Sequence, residues 1–109
     1  MKIVQVTYTT RPEFAGKNTA NIKTVMNDLQ QLHPPGIRYT AVLGSDGKTF
    51  THTAFFQSEA DQKTLFELSS FKNFQEQLKS SIPEVPPKQE ILTLVGSSYT
   101  IFNSYQRRL

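Results

Sequence analysis

The sequence predicts an α+β fold, an antiparallel sheet carrying helices on one face. Three observations lead there. Apolar and polar residues alternate with a period of two in four stretches. Between those stretches, apolar residues recur at helical spacing. Proline- and glycine-rich breaks separate the two kinds of segment.

The first strand is expected over Lys2 to Thr9, where Ile3, Gln5, Thr7 and Thr9 alternate with Val4, Val6 and Tyr8, and Arg11-Pro12 ends it. Gly16 to Thr19 suits a helix start, with Asn18 or Thr19 as the N-cap. Ile22, Val25, Met26, Leu29 and Leu32 follow on one helical face until Pro34-Pro35-Gly36 stops it. Ile37 to Leu43 is the second strand, with Ile37, Tyr39, Ala41 and Leu43 on one face and Arg38, Thr40 and Val42 on the other. Gly44-Ser45-Asp46-Gly47 is a turn, and Lys48 to Gln57 answers as the other arm of a hairpin. Ser58 caps a short helix with Asp61 as its capping-box partner. Ser69 or Ser70 opens another helix, on which Phe71, Phe74 and Leu78 share a face. Pro83 ends it, and Pro83 to Pro87 reads as a stiff connector. The last strand runs from Gln89 to about Val95, Gly96-Ser97-Ser98 interrupts it, and Tyr99 to Phe102 resumes the pattern.

The order β-α-β-β-α(α)-β is that of a ferredoxin-like sandwich. Residues 1–102 form the expected single domain, and residues 103–109 a C-terminal tail. The last strand is apolar on both parities (Ile91 and Val95 against Leu92 and Leu94), while the helices cover only one face. A second cover is needed, and a second copy packing through its sheet face is the simplest, so the sequence predicts a homodimer.

Composition narrows the chemistry. With no Cys among 109 residues, disulfide scaffolds, thiolate zinc sites and cysteine nucleophiles are excluded. Twelve Lys and Arg against nine Asp and Glu give a net charge of +3, too mild and scattered for a nucleic-acid surface. No apolar run is long enough for a membrane span, and the first ten residues lack a signal-peptide pattern, so a cytoplasmic location is expected.

His52 lies mid-strand in phase with Phe50, Ala54 and Phe56. An imidazole held neutral by an apolar face is a candidate general base, against the alternative of a structural His bonding a Thr or Tyr across the strands. Tyr8 and Tyr39 are placed to present phenols to a pocket, and Phe56, Phe66 and Phe74 to line or plug it. Phe55 and Phe56 must face opposite ways, one toward the pocket and one toward the dimer interface. His33 is expected to complement the helix dipole. Arg38 is expected at the dimer face or paired with Glu90, and Arg11 is expected to be a solvated loop charge. The two His and the carboxylates show no ligand spacing, so no metal is expected.

The run Phe50-Thr51-His52-Thr53-Ala54-Phe55-Phe56-Gln57-Ser58-Glu59-Ala60-Asp61, then Leu65 and Ser69-Ser70-Phe71-Lys72-Asn73-Phe74, resembles the dimeric α/β-barrel superfamily. It is most similar to antibiotic-biosynthesis-monooxygenase-type domains. The resemblance implies two ferredoxin-like protomers packed sheet to sheet, each with a pocket between its helices and sheet. It also implies an activity of cofactor-independent quinol or polyketide oxygenation. The superfamily's haem-degrading branch uses an Asn, a Trp and a His at positions matching Thr7, Phe56 and Leu78, and none of these retains the chemistry. The monooxygenase branch often carries a His on the helix after the third strand, where this chain reads Thr64-Leu65-Phe66-Glu67.

The expected function is therefore a homodimer binding a small apolar or aromatic ligand, with no cofactor and monooxygenase-type chemistry. The alternative is a binding or assembly module of the same fold without catalysis. An enclosed cavity between sheet and helices, holding His52 or a Tyr with an unfilled hydrogen bond, would favour the enzyme, and a cavity plugged by Phe56, Phe66 and Phe74 the assembly module.

Overall fold

The computed structural model describes residues 1–102, so the expected tail lies outside the described residues. Four strands, β1 (Lys2–Thr9), β2 (Ile37–Leu43), β3 (Thr49–Phe56) and β4 (Val85–Leu92), form one sheet in the order β2-β3-β1-β4. Every neighbouring pair is antiparallel. Helices α1 (Ala15–Leu32), α2 (Glu59–Glu67) and α3 (Ser69–Ser80) complete the ferredoxin-like α+β architecture.

The core follows the period-two pattern. Val4, Tyr8, Phe50, Ala54, Phe56 and Ile37 point at the helices, where Ile22, Val25, Leu29, Leu65, Phe71, Phe74 and Leu78 meet them. Burying each large side chain contributes about 1.5–3 kcal/mol before the entropy cost of ordering it. The two long helices are joined by Asn21, whose Nδ2 donates to Gln77 Oε1 at 3.1 Å. At the start of α2, Ser58 and Asp61 form the complete reciprocal capping box.

The structure corrects several expectations. Neither Asn18 nor Thr19 caps α1. A 3-10 turn over Pro12–Phe14 starts the helix early, because Pro12 presets its backbone angle. Asn18 is thereby carried one turn into α1, on its buried face. Ser69 and Ser70 lie inside α3, and Leu68 occupies its cap position without a side-chain bond. Pro83–Pro87 is not simply a connector, since β4 begins at Val85 and includes Pro86 and Pro87. Among the described residues that strand pairs only with β1, and its register shifts between Thr7 and Thr9, opposite the prolines. An edge strand tolerates residues without an N–H to donate.

The last strand stops at Leu92 rather than Val95, and Tyr99 to Phe102 is not a strand. Ile101 and Phe102 are nevertheless buried, and the Arg38 guanidinium sits 5.5 Å from the Phe102 ring centre. Because β2 and β4 are opposite edges, the chain after Leu92 crosses beneath the sheet to reach Arg38. The same separation keeps Arg38 from pairing with Glu90. The outer sheet face is less apolar than the last strand suggested. Hydroxyl pairs Thr7–Thr51 (3.4 Å) and Thr9–Thr49 (2.9 Å) run along it, with Gln5 Nε2 donating to Thr53 Oγ1.

Arg11 is not free in solvent, since its Nε donates to the Ile82 carbonyl at 2.8 Å. Ile82 has φ 54°, an unfavourable left-handed conformation for a β-branched residue, and Arg11 anchors that turn. His33 ends α1 in the left-handed conformation, its backbone N–H donating to Leu29 O and its Nδ1 donating to Gln30 O at 3.3 Å. Among the described residues no helix is long and apolar enough to cross a membrane.

Candidate functional site

A cavity of about 430 Å³ lies between the helix-facing side of the sheet and α3. Val6 and Tyr8 come from β1, Tyr39 from β2 and His52 from β3. Phe71, Phe74 and Leu78 of α3 form the opposite wall, with Gln75 and Lys79 at the rim. Pro83, Pro86 and Pro87 close the remaining side. The walls are mostly apolar, so the few polar atoms that reach the space decide what binds there.

Those atoms form one connected chain. Asn18 Nδ2 donates to the Tyr8 hydroxyl at 2.8 Å. The Tyr8 hydroxyl lies 2.7 Å from His52 Nε2, and the Tyr39 hydroxyl lies 2.6 Å from His52 Nδ1. Sheet register produces this arrangement. His52 stands opposite Val6 on β1 and Ala41 on β2, so Tyr8 and Tyr39 are its diagonal neighbours on the two flanking strands. Rings 5.3 and 5.7 Å away, from Tyr8 and Tyr39, flank the imidazole, and Phe74 packs over it at 5.3 Å.

Burial sets the protonation states. Tyr8 is 1% exposed, Asn18 0% and His52 5%. Burial lowers the His52 pKa to about 4, so the ring is neutral near pH 7. Burial also pushes the Tyr8 phenol well above its ordinary value, partly offset by the Asn18 hydrogen bond. Tyr39 is raised in the same way, first by burial and then by the neighbouring Tyr8. A neutral imidazole offers one donor and one lone pair, so this chain must run in a single direction.

The expected site residues are distributed unevenly. His52, Tyr8, Tyr39 and Phe74 share the wall of the large cavity. Phe56 and Phe66 do not reach it and line a smaller space of about 90 Å³. The two spaces share Val6, Tyr39, His52, Phe71 and Gln75. Phe56 is fully packed, while Phe66 is half exposed and stacks on Phe71 at 5.6 Å. Thr7 faces the other side of the sheet, and Leu78 lies in the cavity. Both ring nitrogens of His52 are engaged by phenols, which leaves no free imidazole lone pair for a metal. No cluster of three His, Cys, Asp or Glu exists among the described residues.

Asn18 is the site residue that sequence reasoning missed. Its signal was its position four residues before Ile22 and seven before Val25, on the same helical face as the apolar stripe. An Asn there must bury its amide and find a partner.

No family model matches the chain, and no curated protein matches it by sequence. Solved structures do match its fold. A protein from Bacteroides thetaiotaomicron, named as a candidate antibiotic biosynthesis monooxygenase, superposes with a TM-score of 0.79 at 16% identity, covering 92% of this chain and 94% of its own. A second antibiotic biosynthesis monooxygenase gives 0.74 at 11% identity, covering 88% and 100%. SnoaB of Streptomyces nogalater, a cofactor-independent oxygenase solved as a mutant, gives 0.65 at 10% identity, covering 89% and 96%. At such identities the likeness is one of fold. This chain is an α+β, ferredoxin-like domain with the fold of the antibiotic biosynthesis monooxygenases.

Proposed function

We propose that this protein is a cofactor-independent oxygenase acting on a small, flat, oxygen-bearing aromatic such as a quinol or anthrone, and that it works as a homodimer. The observation that carries the reading is the Tyr8–His52–Tyr39 chain set in the wall of an apolar cavity. Aromatic walls suit a planar ring, and the chain supplies a neutral polar contact for one ring oxygen.

The chemistry asks little of the protein. An anthrone methylene next to an oxygen-bearing ring loses a proton to solvent to give an electron-rich enolate, and solvent returns that proton when the peroxide anion becomes the hydroperoxide. The enolate reduces dioxygen and forms a C–O bond, giving a hydroperoxide. Loss of water then leaves a carbonyl. In balance, the methylene carbon with its two hydrogens and one dioxygen become a ketone carbonyl and one water. The protein's part is to bind the ring, exclude water and stabilise the anionic oxygen with a fixed dipole. His52 acts through the two tyrosines, because both its nitrogens are already bonded. Lys79 at the rim adds positive potential that favours an anionic substrate.

The dimer is supported by apolar side chains exposed along the edge strand and the segment after it, Ile91, Leu94, Val95 and Tyr99 among them. Two measurements test the reading. Oxygen uptake with dihydroxyanthrone and a panel of quinols should be accelerated over buffer, at one dioxygen per anthrone. Tyr39→Phe should slow it by about tenfold or more. No acceleration with any member of the panel would end the oxygenase reading. Light scattering should give about twice the 12.4 kDa chain mass, and a monomer at micromolar concentration would remove the dimer.

A further inference from the structure

We propose that Asn18 is a positioning residue that sets the direction of the Tyr8–His52–Tyr39 chain, so that Tyr39 presents an O–H donor to the cavity and the site selects ligands whose oxygen is an acceptor. The inference deepens the oxygenase reading by naming the ligand chemistry. Its physical basis is independent of turnover.

Asn18 is the closed end of the chain. The Asn18 amide is 0% exposed, and its Oδ1 has no hydrogen-bond partner among the described residues. Its Nδ2 can only donate, and it donates to the Tyr8 oxygen. Turning the amide over would give the Tyr8 hydroxyl an acceptor but strand both N–H groups in the interior. Buried N–H groups are left unmet more rarely than carbonyl oxygens.

With Asn18 donating, Tyr8 accepts at its oxygen and must place its own proton. Among the described residues its other hydrogen-bond partner is His52 Nε2, 2.7 Å away. If Nε2 also carried a proton, the Tyr8 hydroxyl would be left with nothing to donate to, at 1% exposure. An orphaned buried donor is strongly disfavoured. Tyr8 therefore donates to Nε2, and the neutral imidazole carries its proton on Nδ1. Nδ1–H donates to the Tyr39 oxygen, 2.6 Å away. Tyr39 has then accepted from within the protein, and its own O–H is left to donate. Both tyrosines line the cavity, and Tyr39 is the partly exposed residue of the two while Tyr8 is buried. The unmet donor is thus at the end of the chain where a ligand can satisfy it.

A donor at that point fits a ketone, quinone or enolate oxygen. It contributes nothing extra to a hydrocarbon of the same shape. Asn18 touches no ligand itself and acts through three hydrogen bonds.

The test reads the tautomer directly. Long-range 1H–15N correlation on the ligand-free protein, with His33→Gln to assign the two rings, should show His52 protonated at Nδ1 and bare at Nε2. An Nε2–H tautomer would overturn the proposal, and this measurement on the His52-intact protein leaves the whole hydrogen-bonded chain unaltered. Asn18→Asp should move the proton to Nε2, because a carboxylate accepts from Tyr8 and reverses the direction. An unchanged tautomer in that variant would remove Asn18 as the group that sets it. On the ligand side, 1,4-naphthoquinone should bind about tenfold more tightly than naphthalene, and Tyr39→Phe should erase the difference. Equal binding in the unmodified protein would refute the donor assignment. A protein that oxidises nothing still answers all three measurements, so failure here and failure of the oxygenase reading are separable.

Discussion

Acidification should destabilise this protein through His52 before its carboxylates are protonated. In the unfolded chain an imidazole takes up a proton near pH 6.5. In the folded protein burial lowers that value to about 4, and no charged partner offsets it. Between these two values the unfolded state holds more protons than the folded one. The stability tied to the neutral ring is therefore intact above about pH 6.5 and is lost as pH falls toward 4. A gap of roughly 2.5 pH units at about 1.36 kcal/mol per unit gives about 3 kcal/mol. Against a total of about 5–15 kcal/mol for a domain of this kind, that is a large share. Urea melts followed by circular dichroism at pH 7.5, 6.5, 5.5 and 4.5 would measure it. His52→Gln supplies the reference, since it shares every other titrating group. The difference between the two proteins should shrink by about 2.5 kcal/mol between pH 7.5 and 4.5. Parallel pH profiles would refute the argument, as would an NMR titration of the His52 ring centred near pH 6.5.

Tyr8→Phe removes the hydroxyl shared by Asn18 and His52 and should cost about 1–3 kcal/mol in urea melts, more than Tyr39→Phe, which strands only one buried group. An equal or smaller loss would count against a chain closed at Asn18. Gly36→Ala should cost about 1 kcal/mol, because a Cβ there runs into the Asp61 carboxylate and displaces it from the Ser58 capping box. In an Asp61→Ala background the same change should be nearly neutral, and an undiminished cost would sink that explanation.

Much of this fold was legible because its signals are local. Alternation in Lys2–Thr9 and Ile37–Leu43 needs only neighbouring residues, and both strands have the expected bounds. Ser58 and Asp61 lie three residues apart, and a capping box needs nothing further. His52 and the two tyrosines were recognisable one at a time, as polar groups in phase with apolar ones. Their connection was not, because it depends on strand register. Tyr8 meets His52 across 44 residues of sequence and Tyr39 meets it across 13, each on the diagonal.

Three features were decided only in three dimensions. Pro86 and Pro87 belong to a strand because β4 occupies an edge, where a missing N–H breaks no second ladder. Ile101 and Phe102 are buried because the chain crosses beneath the sheet, although their own pattern suggested another strand. Asn18 reads locally as a helix cap, yet Pro12 starts the helix early and turns that amide toward Tyr8. By itself the sequence determined which residues of β1, β2, β3 and the helices share a face, since that follows from period and chain neighbours. Which buried polar groups touch was left to the tertiary structure, because a hydrogen bond of 2.7 Å depends on the pairing of distant strands and the rotation of a helix above them.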